Sequence, residues 1–460
     1  MFFKKKKIAS QKKKIQKTPY ILWAFWVLSI LFLGTFVVQA MNAIPFQIFE
    51  FAGGSGSILN FGNKEDENTL DENVYILVTG RWGGNHDAPN LTDTMILAWI
   101  NSTQETITLL SLPRDLWVSY PSWRKWRING VYENGLLGTP TEAMQWLAEV
   151  VTNITWKKID HYVNIDFNWF IEIVDTLWGV EVTLEENFAD YEYPDANRGY
   201  KTFILKKWTW NLDGEVALMY ARSRHSTSDF DRSLRQQQII SSLREKVSNL
   251  WYFKNRKQIV ELYDIFTEYV ETDLALTDMV KLWLAVKWWE DPQTLSFNLN
   301  DSCYSNSPSC MPWGFIYTPN RALFWGASVL LTNGWTGTNP WLYPDIHQFA
   351  DYIYESPDMY SKPKSIVIYN ATSQWFLAQK LAEELRPYGF TIDYETGTQS
   401  MKEKEFENSI LYYNGIESND STLTALKDFL NIQQIEKVDA PVFSGSWTTI
   451  EIILNDTNSF

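Results

Sequence analysis

Histidine, cysteine and glycine are scarce in this chain of 460 residues: four, two and 22. Two cysteines cannot build a disulfide-dense scaffold, and with four histidines they cannot build a zinc cage of the usual spacing. A Cys/His metal site is therefore a weak reading. Cys303 and Cys310 lie in "DSCYSNSPSC" and, on the outside of a membrane, read as one small disulfide loop. Positive charge is short as well, with 40 Lys and Arg against 55 Asp and Glu. A net charge of −15 argues against a general nucleic-acid binder and predicts no nucleic-acid partner.

The positive charge that exists is concentrated. Eight lysines and no acid fall in residues 1–19. Residues 20–40, "YILWAFWVLSILFLGTFVVQA", carry no charge and are long enough to cross a bilayer as a helix. The lysine run then stays in the cytoplasm and the remaining chain faces outward. A cleaved signal peptide is the other reading; the length of the run favours an uncleaved anchor. The expected localisation is a single-pass cell-membrane protein with its main region extracytoplasmic.

Tryptophan is present in excess, 23 residues, often where glycine would serve. Trp82 stands among glycines, Trp123 and Trp126 in a turn-like stretch, Trp178 between a helix and a strand, and Trp208 and Trp210 before a helix. Left-handed turns and helix ends favour glycine, which has no Cβ. One reading is that many of these codons are UGA read as glycine in the cell. The other is a tryptophan-rich surface for glycans or a membrane interface.

Residues 41–72 read as a juxtamembrane linker. Strands are expected at "VYILVTG", "TMILAWIN", "ETITLLSLP", "HYVNIDF" and "GVEVTL", and helices at "TPTEAMQWLAEVV", capped by Thr139 or Thr141, and "NWFIEIVDTLW". "DFDRSLRQQQIISSLREKVSNL" predicts an amphipathic helix with Ile239, Ile240 and Leu243 on its apolar side. The fold class is α/β, a mixed sheet flanked by helices across 73–255, with an extension over 256–355 packing on it. A Pro/Ser linker over 356–364 precedes a small separate α/β domain over 365–458.

Four arginines cluster between Ala217 and Gln237. Arg222 and Arg224 point the same way on an extended segment; Arg232, Arg235 and Gln236 share a helix face. Guanidinium forks bind phosphate oxygens in pairs, so the cluster suits a phosphate clamp; a solvated salt-bridge network is the plainer reading. Upstream, Asp87 and Asp93 precede a strand, Arg114 and Asp115 follow one, and Arg127 and Asn129 lie beyond. Carboxylates beside arginines suit a Mg²⁺-bound pyrophosphate.

The motifs "LTDTMILAWIN", "TITLLSLPRDLWVSYP", "RINGVYENG", "VNIDF", "LDGEVALMYARSRH" and "DFDRSLRQQQII", in that order, resemble the LytR-CpsA-Psr (LCP) family of cell-wall ligases. "IVIYNATSQWFLAQKLAEELRPYGF" resembles the LytR C-terminal domain. The family's glycine positions fall at Trp126, Trp178 and Trp208. The resemblance implies a Mg²⁺-dependent transferase that takes a glycopolymer from a polyprenyl-pyrophosphate carrier to peptidoglycan through a phosphodiester. It implies metal binding by Asp93, with Asp87 standing in for an acidic residue this chain replaces by Gly80-Arg81. It implies phosphate binding by Arg114, Arg222, Arg224, Arg232 and Gln236, with Arg127 as a further basic residue and Asp115 orienting an arginine or serving the metal. A lipid groove is expected along Phe170, Ile171, Val174 and Ile239, with ordinary apolar core an equal reading of the same residues. The alternative is an anchored, non-catalytic protein that holds polyprenyl phosphate lipids or wall glycan.

Overall fold

The structure is a computed structural model. It describes residues 73–84, 88–122, 124–194, 199–223, 256–275, 293–299, 315–332, 343–401, 406–445 and 448–456, and single positions within 235–246 and 278–286. The basic tail, the apolar run 20–40, the linker, Asp87, Trp123, Arg224, Arg232, Gln236, Cys303 and Cys310 lie outside the described residues. Among the described residues no helix is long and apolar enough to cross a membrane. Two compact units emerge, one from residues 169–268 and one from 50–168 together with 269–460.

The larger unit is built on β1 (Asn73–Arg81), β2 (Thr92–Asn101) and β3 (Thr106–Ser111). A short hairpin of β4 (Trp117–Ser119) and β5 (Lys125–Arg127) follows, then helix α1 (Val131–Gly135) and helix α2 (Pro140–Thr155). Thr139 caps α2: its hydroxyl accepts from the Glu142 amide, and the Glu142 carboxylate accepts from the Thr139 amide. With Pro140 in the first turn, this closes a capping box. The face of α2 carrying Ala143, Met144, Leu147, Val150, Val151 and Ile154 is buried at helical spacing. β6 (His161–Asp166) then returns parallel to β1.

The smaller unit begins in α3 (Asn168–Thr176) and pairs β7 (Val180–Thr183), β8 (Phe188–Pro194), β9 (Tyr200–Leu205) and β10 (Thr209–Leu212) as two hairpin-like ribbons, β7 with β10 and β8 with β9. Helix α4 (Gly214–Arg222) is capped by Asp213, and α5 (Arg256–Tyr269) closes the unit. Its apolar cluster gathers Phe170, Val174, Leu177, Val182, Phe188, Tyr220, Ile239 and Leu243. The expected groove residues Phe170, Val174 and Ile239 are thus packed as core of this unit.

Back in the larger unit, β11 (Val270–Thr272) pairs with β6 and β12 (Gln293–Asn298) with β3, giving the sheet order β11-β6-β1-β2-β3-β12. The expected boundary at 255/256 therefore does not divide the fold: both edge strands come from beyond it. After a small ribbon of β13 (Ile316–Tyr317) and β14 (Leu331–Thr332), helix α6 (Pro344–Glu355) buries Ile346, Phe349, Ala350, Ile353 and Tyr354. The expected linker contains a one-turn helix, α7 (Asp358–Ser361), with Met359 buried.

The C-terminal region has β15 (Ser365–Asn370), α8 (Leu377–Leu385), β16 (Thr391–Ile392), β17 (Thr398–Ser400), β18 (Ile410–Tyr413), α9 (Ser421–Leu430), β19 (Gln434–Lys437) and β20 (Ile450–Leu454). Its sheet runs β16-β15-β20-β18-β19, with β17 also on β15. It is not separate from the larger unit. One apolar cluster runs from Leu77 and Leu97 through Phe349 and Ile353 to Ile368, Leu381 and Leu426. The Tyr354 hydroxyl donates to the Leu97 carbonyl at 3.1 Å, and Tyr352 to that of Ala425 at 3.3 Å, so α6 ties β2 to helix α9.

Candidate active site

Strand direction gathers the polar residues at one end of the larger sheet. β1 runs parallel to β6 and antiparallel to β2, and β2 is antiparallel to β3. The carboxyl ends of β1, β3 and β6 therefore meet the start of β2, where open α/β sheets place their ligands. Thr92 opposes Arg81 across a register shift, and the buried Thr92 hydroxyl donates to the Asn129 carbonyl at 3.3 Å. That contact draws the loop after β5 over the sheet end.

Asp93 stands next to it. Its Oδ2 accepts from Arg114 Nη1 at 3.1 Å and its Oδ1 from Asn129 Nδ2 at 3.2 Å. Asp115 Oδ1 accepts from Arg127 Nη1 at 3.1 Å, and Arg114 Nε lies 3.8 Å from Asp115 Oδ2. Two carboxylates and two guanidiniums thus alternate in one chain of ion pairs. Arg114 is the outward member, with 55% of its side chain exposed. The backbone is held beneath: the Asn129 amide donates to the Arg114 carbonyl, and the Tyr120 hydroxyl donates to the Arg127 carbonyl at 2.6 Å. Burial pushes the Tyr120 phenol well above its ordinary range, against the pull of the Arg127 charge, so it remains a donor.

The set fits a small hard cation. Asp93 and Asp115 supply carboxylate oxygens. Asn129, 2% exposed, has a buried Oδ1 with no hydrogen-bond partner among the described residues, beside its own Nδ2 bond to Asp93. A neutral oxygen left without a donor beside a carboxylate is what an oxygen-seeking ion would satisfy. The Arg127 Nε is likewise buried and, among the described residues, without an acceptor. Among the described residues no group of three His, Cys, Asp or Glu side chains gathers, and Asp87, the other expected ligand, lies outside them.

A second polar network fills the same sheet end. Arg81 reaches Asp166 Oδ2 at 3.4 Å and Glu271 Oε1 at 3.3 Å. Glu271 Oε2 accepts from Tyr132 at 2.6 Å and from Asn164 Nδ2 at 3.0 Å, while Thr79 donates to Asn164 Oδ1 at 2.9 Å. Gly83, at φ +60°, lies over this group; a Cβ there would fall 1.6 Å from Asp166 Oδ2, so only glycine fits. Sequence reading noted Arg81 only as a departure and missed Asp166 and Glu271. The polar residues inside the apolar strand "HYVNID" were the available signal.

In the smaller unit Arg222 ends α4 and donates to the Tyr193 hydroxyl at 3.3 Å. Arg235 departs from the expected clamp. It is 5% exposed, its guanidinium donates to the carbonyls of Tyr220 at 3.0 Å and Ser223 at 2.5 Å, and it lies 4.8 Å from the Phe188 ring centre. Its charge holds the turn after α4. Arg224, Arg232 and Gln236 lie outside the described residues, as does Asp87.

A mixed α/β sheet flanked by helices, with carboxylates and arginines alternating at its carboxyl end, defines the class of protein. Within that class, the chain belongs to the LytR_cpsA_psr family, which matches residues 56–307. Residues 365–457 match the family described as LytR cell envelope-related transcriptional attenuator. The chain is 29% identical over 196 residues to the polyisoprenyl-teichoic acid--peptidoglycan teichoic acid transferase TagV of Bacillus subtilis (strain 168), covering 42% of this chain and 47% of that protein. It is 31% identical over 194 residues to the transferase of that description named TagU from Enterococcus faecalis (strain ATCC 700802 / V583), covering 42% and 57%. The chain spans about half the length of these curated relatives. The crystal structure of B. subtilis TagV is similar at 22% identity with a TM-score of 0.40, covering 62% of this chain and 99% of that one.

Proposed function

We propose that this chain is a membrane-anchored, extracytoplasmic phosphotransferase that moves a glycopolymer from a polyprenyl-pyrophosphate carrier to peptidoglycan. The observation that carries the reading is the alternating chain Asp93, Arg114, Asp115, Arg127 at the sheet end, beside an Asn129 oxygen that has no partner among the described residues. The relatives named as teichoic acid transferases support the same reading, and the apolar run 20–40 supports the anchor.

The site is balanced in charge as it stands, two carboxylates against two guanidiniums. A pyrophosphate would draw Arg114 and Arg127 onto its oxygens, since phosphate matches the guanidinium fork. That would release carboxylate oxygens of Asp93 and Asp115, which with Asn129 Oδ1 would hold Mg²⁺. When bound, the ion supplies neutralisation of charge on the pyrophosphate. The acceptor hydroxyl forms a P–O bond at the phosphorus carrying the glycan, the bond to the prenyl phosphate breaks, polyprenyl phosphate departs and the hydroxyl proton leaves to water. Arg114 and Arg127 hold the phosphorus in line for attack, and this positioning with charge stabilisation is what phosphoryl transfer requires.

The test is Mg²⁺-dependent release of polyprenyl phosphate by the full chain in detergent. Asp93→Asn and Arg127→Ala are each expected to slow release by roughly 100-fold or more, as loss of a charge-stabilising contact does. Asp115→Asn, which keeps an acceptor for Arg127 and loses the charge, is expected to cost about 10-fold. Lipid binding without release, in the presence of Mg²⁺, would replace this reading with the non-catalytic one.

A further inference from the structure

Six non-glycine residues among those described have positive φ, and three are tryptophan: Trp156 (φ 55°), Trp178 (φ 57°) and Trp325 (φ 53°). Tryptophan supplies only 23 of 460 residues, and a left-handed backbone is an outlier for so bulky a side chain because Cβ crowds the following carbonyl oxygen. The three are also alike in place. Each sits where a helical segment ends.

Trp156 follows α2, and its amide donates to the Thr152 carbonyl at 2.7 Å. Trp178 follows α3: its amide donates to Asp175 at 2.9 Å, and the next amide, Gly179, reaches back to Val174 at 2.8 Å. Trp325 ends the 3-10 turn Arg321–Phe324, and Gly326 donates to the Arg321 carbonyl at 2.9 Å. These back-bonds satisfy the last helical carbonyls, and the left-handed residue that makes them is glycine in most proteins. Asn431 ends α9 in the same conformation, and asparagine is the accepted substitute.

The indoles do little in exchange. They are 73%, 68% and 82% exposed. Trp156 stacks on His347 with ring centres 4.4 Å apart, and Trp325 lies 6.5 Å from Trp126. Neither contact takes its ring out of water. A glycan- or membrane-binding surface would need rings presented together, whereas what these three share is backbone conformation.

We infer that the cell inserts glycine, not tryptophan, at positions 156, 178 and 325, by reading UGA as glycine. The inference is independent of the proposed function, since none of the three lies in the ion-pair chain of the site. It also corrects the emphasis of sequence reading. Of the tryptophans singled out there and described, only Trp178 has positive φ, whereas Trp126 and Trp210 lie in strands.

The test is to isolate the protein from the cells that make it and sequence, by mass spectrometry, the peptides covering the three positions. Glycine at all three is expected; tryptophan at any of them overturns the inference. The gene gives a second reading, with UGA expected at each position and UGG at any of them overturning it. The full chain made with tryptophan and the version carrying Trp156→Gly, Trp178→Gly and Trp325→Gly are then compared by thermal unfolding. The glycine version is expected to melt higher; an equal or lower Tm would overturn the backbone argument.

Discussion

The Tyr132 hydroxyl donates to Glu271 Oε2 at 2.6 Å, joining residues 139 positions apart. One lies on the short helix that covers the sheet end, the other on the edge strand β11. Glu271 also accepts from Asn164 and pairs with Arg81, so its carboxylate is the hub that binds β11 to β1 and β6. Burial first, and then the bond to Glu271, raise the Tyr132 phenol well above its usual range, so it donates at every ordinary pH.

Tyr132→Phe removes that donor and leaves the ring in place. The expected loss is about 1.5–3 kcal/mol, the range for a hydrogen bond to a charged group. Urea unfolding of the full chain measures it. A change below about 0.5 kcal/mol would mean that the carboxylate recovers a partner from water and is no hub.

How far this arrangement could be read beforehand depended on whether the signal was local. The strands β1, β2 and β6 and the Thr139 cap are written in short stretches: apolar runs, and a Thr three residues before a Glu. β12 was missed because Gln293–Asn298 is a mostly polar edge strand with no buried run to mark it. β11 was missed because three residues directly after a helix carry no turn signal. In the site, Asp93, Arg114, Asp115 and Arg127 were legible as motif residues. Asp166 and Glu271 were not, because only strand pairing brings 81, 166 and 271 together. Arg235 was grouped with Arg232 by spacing, yet 235, 239 and 243 form one i,i+4 row. The buried Ile239 and Leu243 in that row put Arg235 on the inward face.

Lys157 offers a second test of how the larger unit is held. Its Nζ lies 2.7 Å from both Asp351 Oδ1 and Glu355 Oε1 on α6, directly after the end of α2. Burial alone would lower its pKa, but the two carboxylates outweigh it and hold the ammonium above its usual range. Lys157→Met is expected to cost about 1–2 kcal/mol, discounted because Asp351 is half exposed and Glu355 more so. A double-mutant cycle with Asp351→Asn isolates the pair. Transfer activity should be unchanged, since Lys157 lies outside the ion-pair chain of the site. A coupling energy indistinguishable from zero would remove this tie between α2 and α6.

His161 makes stability depend on pH near neutrality. Its Nδ1 is 3.5 Å from Asp273 Oδ1, and that carboxylate, with Asp160 and Asp278 adding smaller pulls, raises the imidazole pKa against the opposing effect of burial. A raised folded pKa means the protonated form is favoured by folding. The contribution is therefore complete below the unfolded value of about 6.5 and fades as pH rises through the folded pKa. Unfolding free energies of the full chain and of His161→Gln, measured from about pH 5.5 to 8.5, should differ most at the acid end and converge at the alkaline end. The other groups facing His161 cancel in the difference between the two proteins. With 31% of its side chain exposed, the histidine pair is screened, so the difference should stay within about 1 kcal/mol and shrink in high salt. A difference that is flat with pH, or that grows on the alkaline side, would show that Asp273 does not hold the proton on His161.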